Sequence, residues 1–266
     1  MNRITRTFDT LKQQGKKAFV AYVAAGDPDY QRSLEILRGL ADAGADVLEL
    51  GLPFSDPLAD GIVNQMAAER ALKSGMTTKR SLELIRDFRK THDTPIVLFT
   101  YLNPIFTYGF EAFQADAVAA GADGVLLLDL PPDEAGQGHD FKGNPELLKI
   151  RLIAPNTPEP RARMLASQAQ GFIYALSRTG VTGAHGAPSA QIGTLVASLK
   201  QHASVPVCVG FGISNAEQAR EVALHADGVI VGSALVKQVE LHASDAKPVD
   251  AVLRFAKDLI DAVHSV

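Results

Sequence analysis

The chain has 266 residues, 46% of them hydrophobic and 21% charged, and carries a formal net charge of −4. That mixture suits a globular protein with a sizeable core. Its mild acidity gives no footing for nucleic acid or an anionic membrane surface.

In chain order the first feature is an apolar stripe. Ile4, Phe8 and Leu11 fall at helical spacing. They predict a short amphipathic helix covering one end of the domain, in preference to a transit peptide read from Arg3 and Arg6. No secretory h-region follows, and no apolar run approaches the roughly 18 residues of a membrane span.

Eight strands are predicted next, at Ala18–Ala25, Asp46–Gly51, Pro95–Tyr101, Gly124–Leu130, Lys149–Ala154, Phe172–Ser177, Val205–Gly210 and Gly228–Val231. Each is short, apolar and without clean alternation, as strands buried on both faces are. Between them lie helix signals. Asp27-Pro28 and Thr157-Pro158 resemble an N-cap followed by proline, and Ser214 to Glu217 has capping-box spacing. Gly44, Gly121 and Gly171 stand where helices should end. The stretch Pro131–Glu146 is the weakest in pattern because glycines 136, 138 and 143 oppose a helix.

A short repeat marks the helix-to-strand joins: Ala43-Gly44-Ala45-Asp46-Val47-Leu48, Ala120-Gly121-Ala122-Asp123-Gly124-Val125, and Ala226-Asp227-Gly228-Val229. One βα unit is being reused. Eight units in a length close to the ~250 residues of a (β/α)8 barrel predict an α/β fold, a single TIM barrel over residues 1–266. It has an extra N-terminal helix and a short phosphate-binding helix after strand eight. A doubly wound open sheet is the alternative, but no G-x-G-x-x-G follows the first strand.

In such a barrel the chemistry sits at the C-terminal strand ends. Glu49 lies inside the apolar strand Val47-Leu48-Glu49-Leu50-Gly51. It is either a strand-end glutamate reaching solvent or a general acid/base with a raised pKa. The loop after it, Leu52 to Gly61, is stiffened by Pro53 and Pro57 and is oddly apolar. It suits closure over a substrate or docking on a partner, with Asp60 a better catalytic candidate than Asp56. The loops at Ser177–Gly183, Gly210–Ser214 and Gly232-Ser233 are rich in glycine and hydroxyls. They predict a phosphate site formed by backbone N–H groups and a helix N-terminus, or else ordinary tight turns. None of the seven histidines ends a strand or forms a ligand pair, so no metal is expected. No strand-end lysine offers Schiff-base chemistry. The single cysteine, Cys208, reads as a buried, inert thiol. The residues alone therefore describe a cofactor-free barrel that binds a phosphorylated small molecule and moves protons with two carboxylates.

The run Glu49-Leu50-Gly51-Leu52-Pro53-Phe54-Ser55-Asp56-Pro57-Leu58-Ala59-Asp60-Gly61 closely resembles the signature of the tryptophan synthase alpha subunit family. So do Ala25-Gly26-Asp27-Pro28, Tyr101-Leu102-Asn103-Pro104-Ile105-Phe106, Ser177–Gly183 and Gly228–Ser233. The resemblance implies a lyase that splits indole-3-glycerol phosphate by retro-aldol cleavage into indole and glyceraldehyde 3-phosphate. It implies Glu49 as general acid/base and Asp60 as the group on the indole N–H. Tyr22, Phe99, Tyr101, Tyr174 and Thr182 would contact substrate, and Gly183, Gly212, Gly232 and Ser233 would hold its phosphate. It also implies a pyridoxal-phosphate beta subunit in a cytoplasmic α2β2 heterotetramer that receives the indole. Phe54 and Phe106 would be exposed interface anchors, and Thr182 would close a loop toward Asp60. Ile62, Thr100 and the glycine-rich Pro131–Gly143 depart from the family pattern. A free-standing indole-releasing lyase and a weakly active regulatory subunit remain alternatives. A sugar-phosphate epimerase or an indole-glycerol-phosphate synthase would need strand-end metal ligands or a strand-end lysine.

Overall fold

The N-terminal stripe forms helix α1 (Arg3–Gln14), with Asn2 as N-cap accepting from the Ile4 N–H. Ile4, Phe8 and Leu11 are buried and pack on inward side chains of the strands, among them Val20, Val47, Val97 and Ile230. The helix thus closes the end of the molecule where the strands begin. The computed structural model describes residues 1–130, 144–177, 189–210, 212–243, 245 and 247–266. Thr182, Gly183 and the glycine-rich Pro131–Gly143 lie outside the described residues.

Among the described residues nine parallel strands follow: β1 (Ala18–Ala24), β2 (Val47–Gly51), β3 (Ile96–Thr100), β4 (Gly124–Leu127), β5 (Leu148–Lys149), β6 (Arg151–Ile153), β7 (Ile173–Leu176), β8 (Val207–Gly210) and β9 (Gly228–Val231). Their order is β5-β4-β3-β2-β1-β9-β8-β7-β6. The two ends of that order are one extended stretch. Leu148–Lys149 pairs with β4, and Arg151–Ile153 pairs with β7. Residues 148–153 therefore join both edges and close the sheet into a barrel. This sets aside the open doubly wound alternative and accounts for nine assigned strands where eight were expected. Several strands are also shorter than expected. β8 starts at Val207 because Pro206 has no N–H for the ladder, although its carbonyl accepts from Ile173 N.

The ten further helices among the described residues are α2 (Tyr30–Ala43), α3 (Ile62–Lys73), α4 (Thr78–Arg89), α5 (Leu102–Tyr108), α6 (Phe110–Ala120), α7 (Glu159–Gln168), α8 (Ser189–Lys200), α9 (Ala216–Ala223), α10 (Ser233–His242) and α11 (Pro248–His264). They wrap the barrel and bury the outward strand residues, such as Phe19, Leu48, Leu98 and Val229. Gly44 and Gly121 end α2 and α6 with φ of 105° and 95°, a region glycine enters without steric cost.

Three capping expectations are corrected. The N-cap of α2 is Asp29, not Asp27; Asp27 is buried and paired with Arg70, and the Asp27–Pro28 peptide is cis. Thr157 does not cap α7: its hydroxyl accepts from Ala154 N at 3.2 Å instead. The α9 box is shifted by one residue. Asn215 accepts from Gln218 N, and the Gln218 side chain reaches back to Ser214 N, both at 2.9 Å.

The repeated Ala-Asp unit has a clear structural meaning. Asp46, Asp123 and Asp227 each accept a strand N–H through the side chain, from Phe19, Ile96 and Val207 at 2.7, 2.9 and 2.9 Å. Each also donates its own N–H back to that residue's carbonyl at 2.9, 2.8 and 2.9 Å. The unit pins the start of one strand to its neighbour three times around the barrel.

Candidate active site

The alternation of β2 sends Glu49 into the barrel beside Tyr22 of β1 and Val97 of β3, its register partners. Its side chain is fully buried, and neither carboxylate oxygen has a hydrogen-bond partner. Burial alone pushes its pKa up to about 8, because an ion with no partner loses its hydration and gains nothing in return. Other buried carboxylates differ. Asp27 is held by Arg70 at 2.8 and 2.9 Å, and Asp123 by Arg3 and Arg89 at 3.0 and 2.7 Å. Glu49 is therefore not a strand-end glutamate reaching solvent. It is an enclosed acid that keeps its proton at neutral pH.

Asp60 stands in the loop between β2 and α3. Its Oδ2 accepts from the Tyr101 hydroxyl at 2.9 Å. Burial raises its pKa, against the lowering influence of the Tyr101 and Asn64 side chains. The loop is fixed from both sides. Ala59 N donates to the Tyr101 hydroxyl at 3.0 Å, and Gln65 Nε2 donates to the Asp60 carbonyl at 2.8 Å. Asp56, by contrast, is exposed, and its carboxylate accepts from the hydroxyl of its neighbour Ser55 at 2.5 Å.

Four aromatic residues gather around the two carboxylates. The Tyr22 and Phe99 rings meet edge-on at 5.1 Å. Burial raises the Tyr22 and Tyr174 hydroxyl pKa values well above the ordinary range, and both phenols feel the charges of Glu49 and Asp60. The glycines at the strand ends make room for these rings. A Cβ on Gly51 would stand 2.4 Å from the Tyr22 hydroxyl oxygen, and one on Gly210 would stand 2.8 Å from that of Tyr174. Tyr101 is buried and packs on Phe54 at 5.4 Å. Phe54 is thus partly buried, not the exposed anchor expected. Phe106 does stand 65% exposed, with Leu58 at 90% and Ile62 at 69% on the same side of the barrel.

The expected phosphate residues are only partly described. Gly232 is the N-cap of α10, whose first residue is Ser233, and no side chain caps that end. A Cβ on Gly232 would lie 3.5 Å from Tyr22, so this helix start borders the same site. Gly212 has φ of +77° and open space around it. Glu49, Asp60, Tyr22, Phe99, Tyr101, Tyr174 and Gly232 are therefore brought together. Asn64, Gln65 and Gly51 were not singled out from the sequence. The helical i, i+4 spacing of Asp60 and Asn64 was the available signal for the first. Among the described residues no group of three or more His, Cys, Asp or Glu could hold a metal.

α3 itself is clamped to the loop after β1. Arg70 holds Asp27 and reaches Glu240 of α10 at 3.5 Å, while the Ser74 hydroxyl donates to the Gly26 carbonyl at 3.3 Å. The helix that follows Asp60 and the helix that starts at Ser233 are therefore tied together.

Comparison with known proteins gives a consistent family. The sequence profile described as "Tryptophan synthase alpha chain" matches residues 8–264. The tryptophan synthase alpha chain of Desulfosudis oleivorans is 47% identical over 240 residues, covering 90% of this chain and 91% of that one. That of Opitutus terrae is 44% identical over 261 residues, covering 98% of each. The crystal structure of tryptophan synthase subunit alpha from Legionella pneumophila superposes with a TM-score of 0.89 at 38% identity, covering all of both chains.

Proposed function

This chain belongs to the tryptophan synthase alpha chain family, enzyme subunits that cleave indole-3-glycerol phosphate, and we propose that Glu49 and Asp60 carry that cleavage here. One observation carries the assignment: Glu49 is fully enclosed, unpaired and protonated up to about pH 8. A general acid works best with a pKa near the operating pH.

The Glu49 carboxyl donates its proton to indole C3. The ring then carries a positive charge, and Asp60, accepting the ring N–H, stabilises it as it develops. The Glu49 carboxylate takes the proton of the side-chain hydroxyl next to C3. The C–O becomes a carbonyl, the bond to C3 breaks, and its electron pair restores the indole ring. Glyceraldehyde 3-phosphate and indole leave, and Glu49 is again protonated. Tyr22, Phe99, Tyr101 and Tyr174 wall and orient the substrate. Gly183, Gly212, Gly232 and Ser233 hold its phosphate, and Thr182 contacts the substrate.

The exposed Leu58, Ile62 and Phe106 support docking of a beta subunit that receives the indole. This favours the heterotetramer over a free-standing lyase. Burial of both α1 and α11 against the barrel supports residues 1–266 working as one domain. Among the described residues no helix is long and apolar enough to cross a membrane, in keeping with a cytoplasmic enzyme.

The test is indole release from indole-3-glycerol phosphate, with the chain alone and with a beta subunit added. Release that rises with the partner is expected. Glu49→Gln should cut turnover by at least about a thousandfold with substrate binding retained, and Asp60→Asn should lower kcat. Near-normal turnover by Glu49→Gln would end the acid/base assignment.

A further inference from the structure

Two helices stand behind the two ends of the candidate site. Asp60 is two residues before the start of α3, and Gly232 and Ser233 open α10. Further along, about 12 Å beyond Ile62 and about 10 Å beyond Ser233 at the helical rise, one side chain joins them. Arg70 of α3 donates from Nε and Nη2 to the two oxygens of Asp27 at 2.8 and 2.9 Å, and from Nη1 to Oε1 of Glu240 on α10 at 3.5 Å. The planar fork of a guanidinium can hold two carboxylates at once, where an ammonium is a point charge. The Asp27 side chain is 2% exposed in the loop after β1, so the bridge has a buried base. Between the bridge and the helix starts, Ala67 and Val236 are fully buried in one cluster with Tyr22, with Phe99 packed against it. Val63, Ala67 and Arg70 follow at i, i+4 and i+7 on one face of α3, and Val236 and Glu240 at i and i+4 on α10. Each helix thus carries, on one face, an apolar contact behind the aromatic wall and a charged link beyond it.

A buried carboxylate needs a cation, and two of the three Arg70 nitrogens already satisfy Asp27. The third reaches α10. We propose that Arg70 is a positioning residue for the cleavage: from its base on Asp27 it sets α3 against α10, so that Asp60 and the start of α10 are held at the spacing of one substrate. This rests on the function proposed above, which puts the ring N–H at Asp60 and the phosphate at Gly232 and Ser233. A substrate gripped at both ends presents C3 to Glu49 only when that spacing is right, and an error of about 1 Å can cost about a hundredfold in rate. Through a firm link, an end fixed by its ligand also fixes the other end. Two small ligands, one for each end, therefore favour each other's binding, by the same factor in both directions.

The probes are indole and glycerol 3-phosphate, which has the phosphate and no carbonyl to react. Calorimetry gives the Kd of each, alone and with the other saturating. In wild-type protein each should tighten the other about fivefold. Glu240→Ala cuts the link to α10, leaves Asp27 paired and puts a strong helix former in α10. In that variant the coupling should fall below about 1.5-fold, with each probe alone binding within about twofold of wild type. Its kcat for indole-3-glycerol phosphate should drop about tenfold with KM within about threefold. Arg70→Met should behave alike. It leaves Asp27 without its cation, so thermal unfolding is recorded, and Glu240→Ala carries the comparison if it does not fold. Lys237→Met removes the lysine on the other oxygen of Glu240 and should leave coupling and kcat unchanged. A merely structural role would weaken each probe alone and spare the coupling, and that result would overturn the proposal. So would a wild-type protein that releases indole without coupling the probes, and in both cases the functional reading stands. Wild-type protein that neither releases indole nor binds either probe would overturn the functional reading, and this inference with it.

Discussion

An enclosed carboxyl with no partner ties folding and chemistry to the same proton. The folded Glu49 holds its proton up to about pH 8, against an ordinary value of 4.5. Between those values the folded chain binds a proton that the unfolded chain has released, so Glu49 makes stability fall as pH rises through that window. Above about pH 8 both states have lost the proton and the loss is complete, at most roughly 5 kcal/mol. Glu49→Gln removes the titration. Its stability relative to wild type should therefore grow between pH 5.5 and 8.5, as read from urea unfolding midpoints. Parallel profiles would mean that the carboxylate is solvated or paired. In wild-type kcat/KM the same group should produce an alkaline limb near pH 8, where the proposed acid is lost. Glu49 was legible in the sequence because a charge inside Val47-Leu48-Glu49-Leu50-Gly51 breaks an apolar run. Gly51 was not legible in its role. Only the folded register shows that its missing Cβ makes room for the Tyr22 hydroxyl, since the two residues are far apart in the chain and sit on neighbouring strands.

At the scale of elements, the parallel strands were readable because burial on both faces demands apolar runs, and the repeat marked where helices feed strands. The function of the repeat was not readable, because its hydrogen bonds cross to a neighbouring strand. Its three aspartates are also embedded differently. The Asp123 side chain is 3% exposed between Arg3 and Arg89, whereas that of Asp227 is 32% exposed beside Lys200. Asp123→Ala would strip the carboxylate from Arg89, whose side chain is only 10% exposed and would keep backbone carbonyls as acceptors, and leave Ile96 N without its acceptor. Loss of one member of a buried pair costs about 3–5 kcal/mol. Asp227→Ala loses one backbone hydrogen bond and a screened ion pair, about 1–2 kcal/mol. Chemical unfolding should therefore rank Asp123→Ala well below Asp227→Ala. Equal losses would mean that the strand hydrogen bond, common to both, dominates. The caps that sequence reading misplaced have a related cause. Asp27, Thr157 and Ser214 all carry capping chemistry, but Arg70 and the Ala154 N–H take the oxygens of the first two, and the Ser214 hydroxyl donates to the Gln218 side chain while Asn215 supplies the cap.

The molecule as a whole has two unlike ends. One is sealed by α1 and its buried Ile4, Phe8 and Leu11. The other carries the acid site and, around it, Leu58, Ile62 and Phe106 at 90%, 69% and 65% exposure. Single exposed apolar residues are normal, but three on the loop and helices beside one site make a candidate docking face. The loop's apolar character was visible in the sequence. That Phe54 would turn inward onto Tyr101 while Leu58 turned outward was not, because both are apolar residues in one proline-stiffened loop and only packing separates them. None of the three exposed residues touches the proposed chemistry, so partner binding and cleavage can be tested apart. Leu58→Ser and Phe106→Ser together should weaken association with a beta subunit by about tenfold or more, in the range of buried interface anchors. Indole release by the isolated chain should stay unchanged. Leu224, 55% exposed and just past α9 on the sealed side, provides the control: Leu224→Ser should leave association untouched. If the double variant binds as tightly as wild type, the apolar rim is not the docking face. If it loses basal release as well, the substitutions have disturbed the loop that holds Asp60, and the independence of the two functions fails.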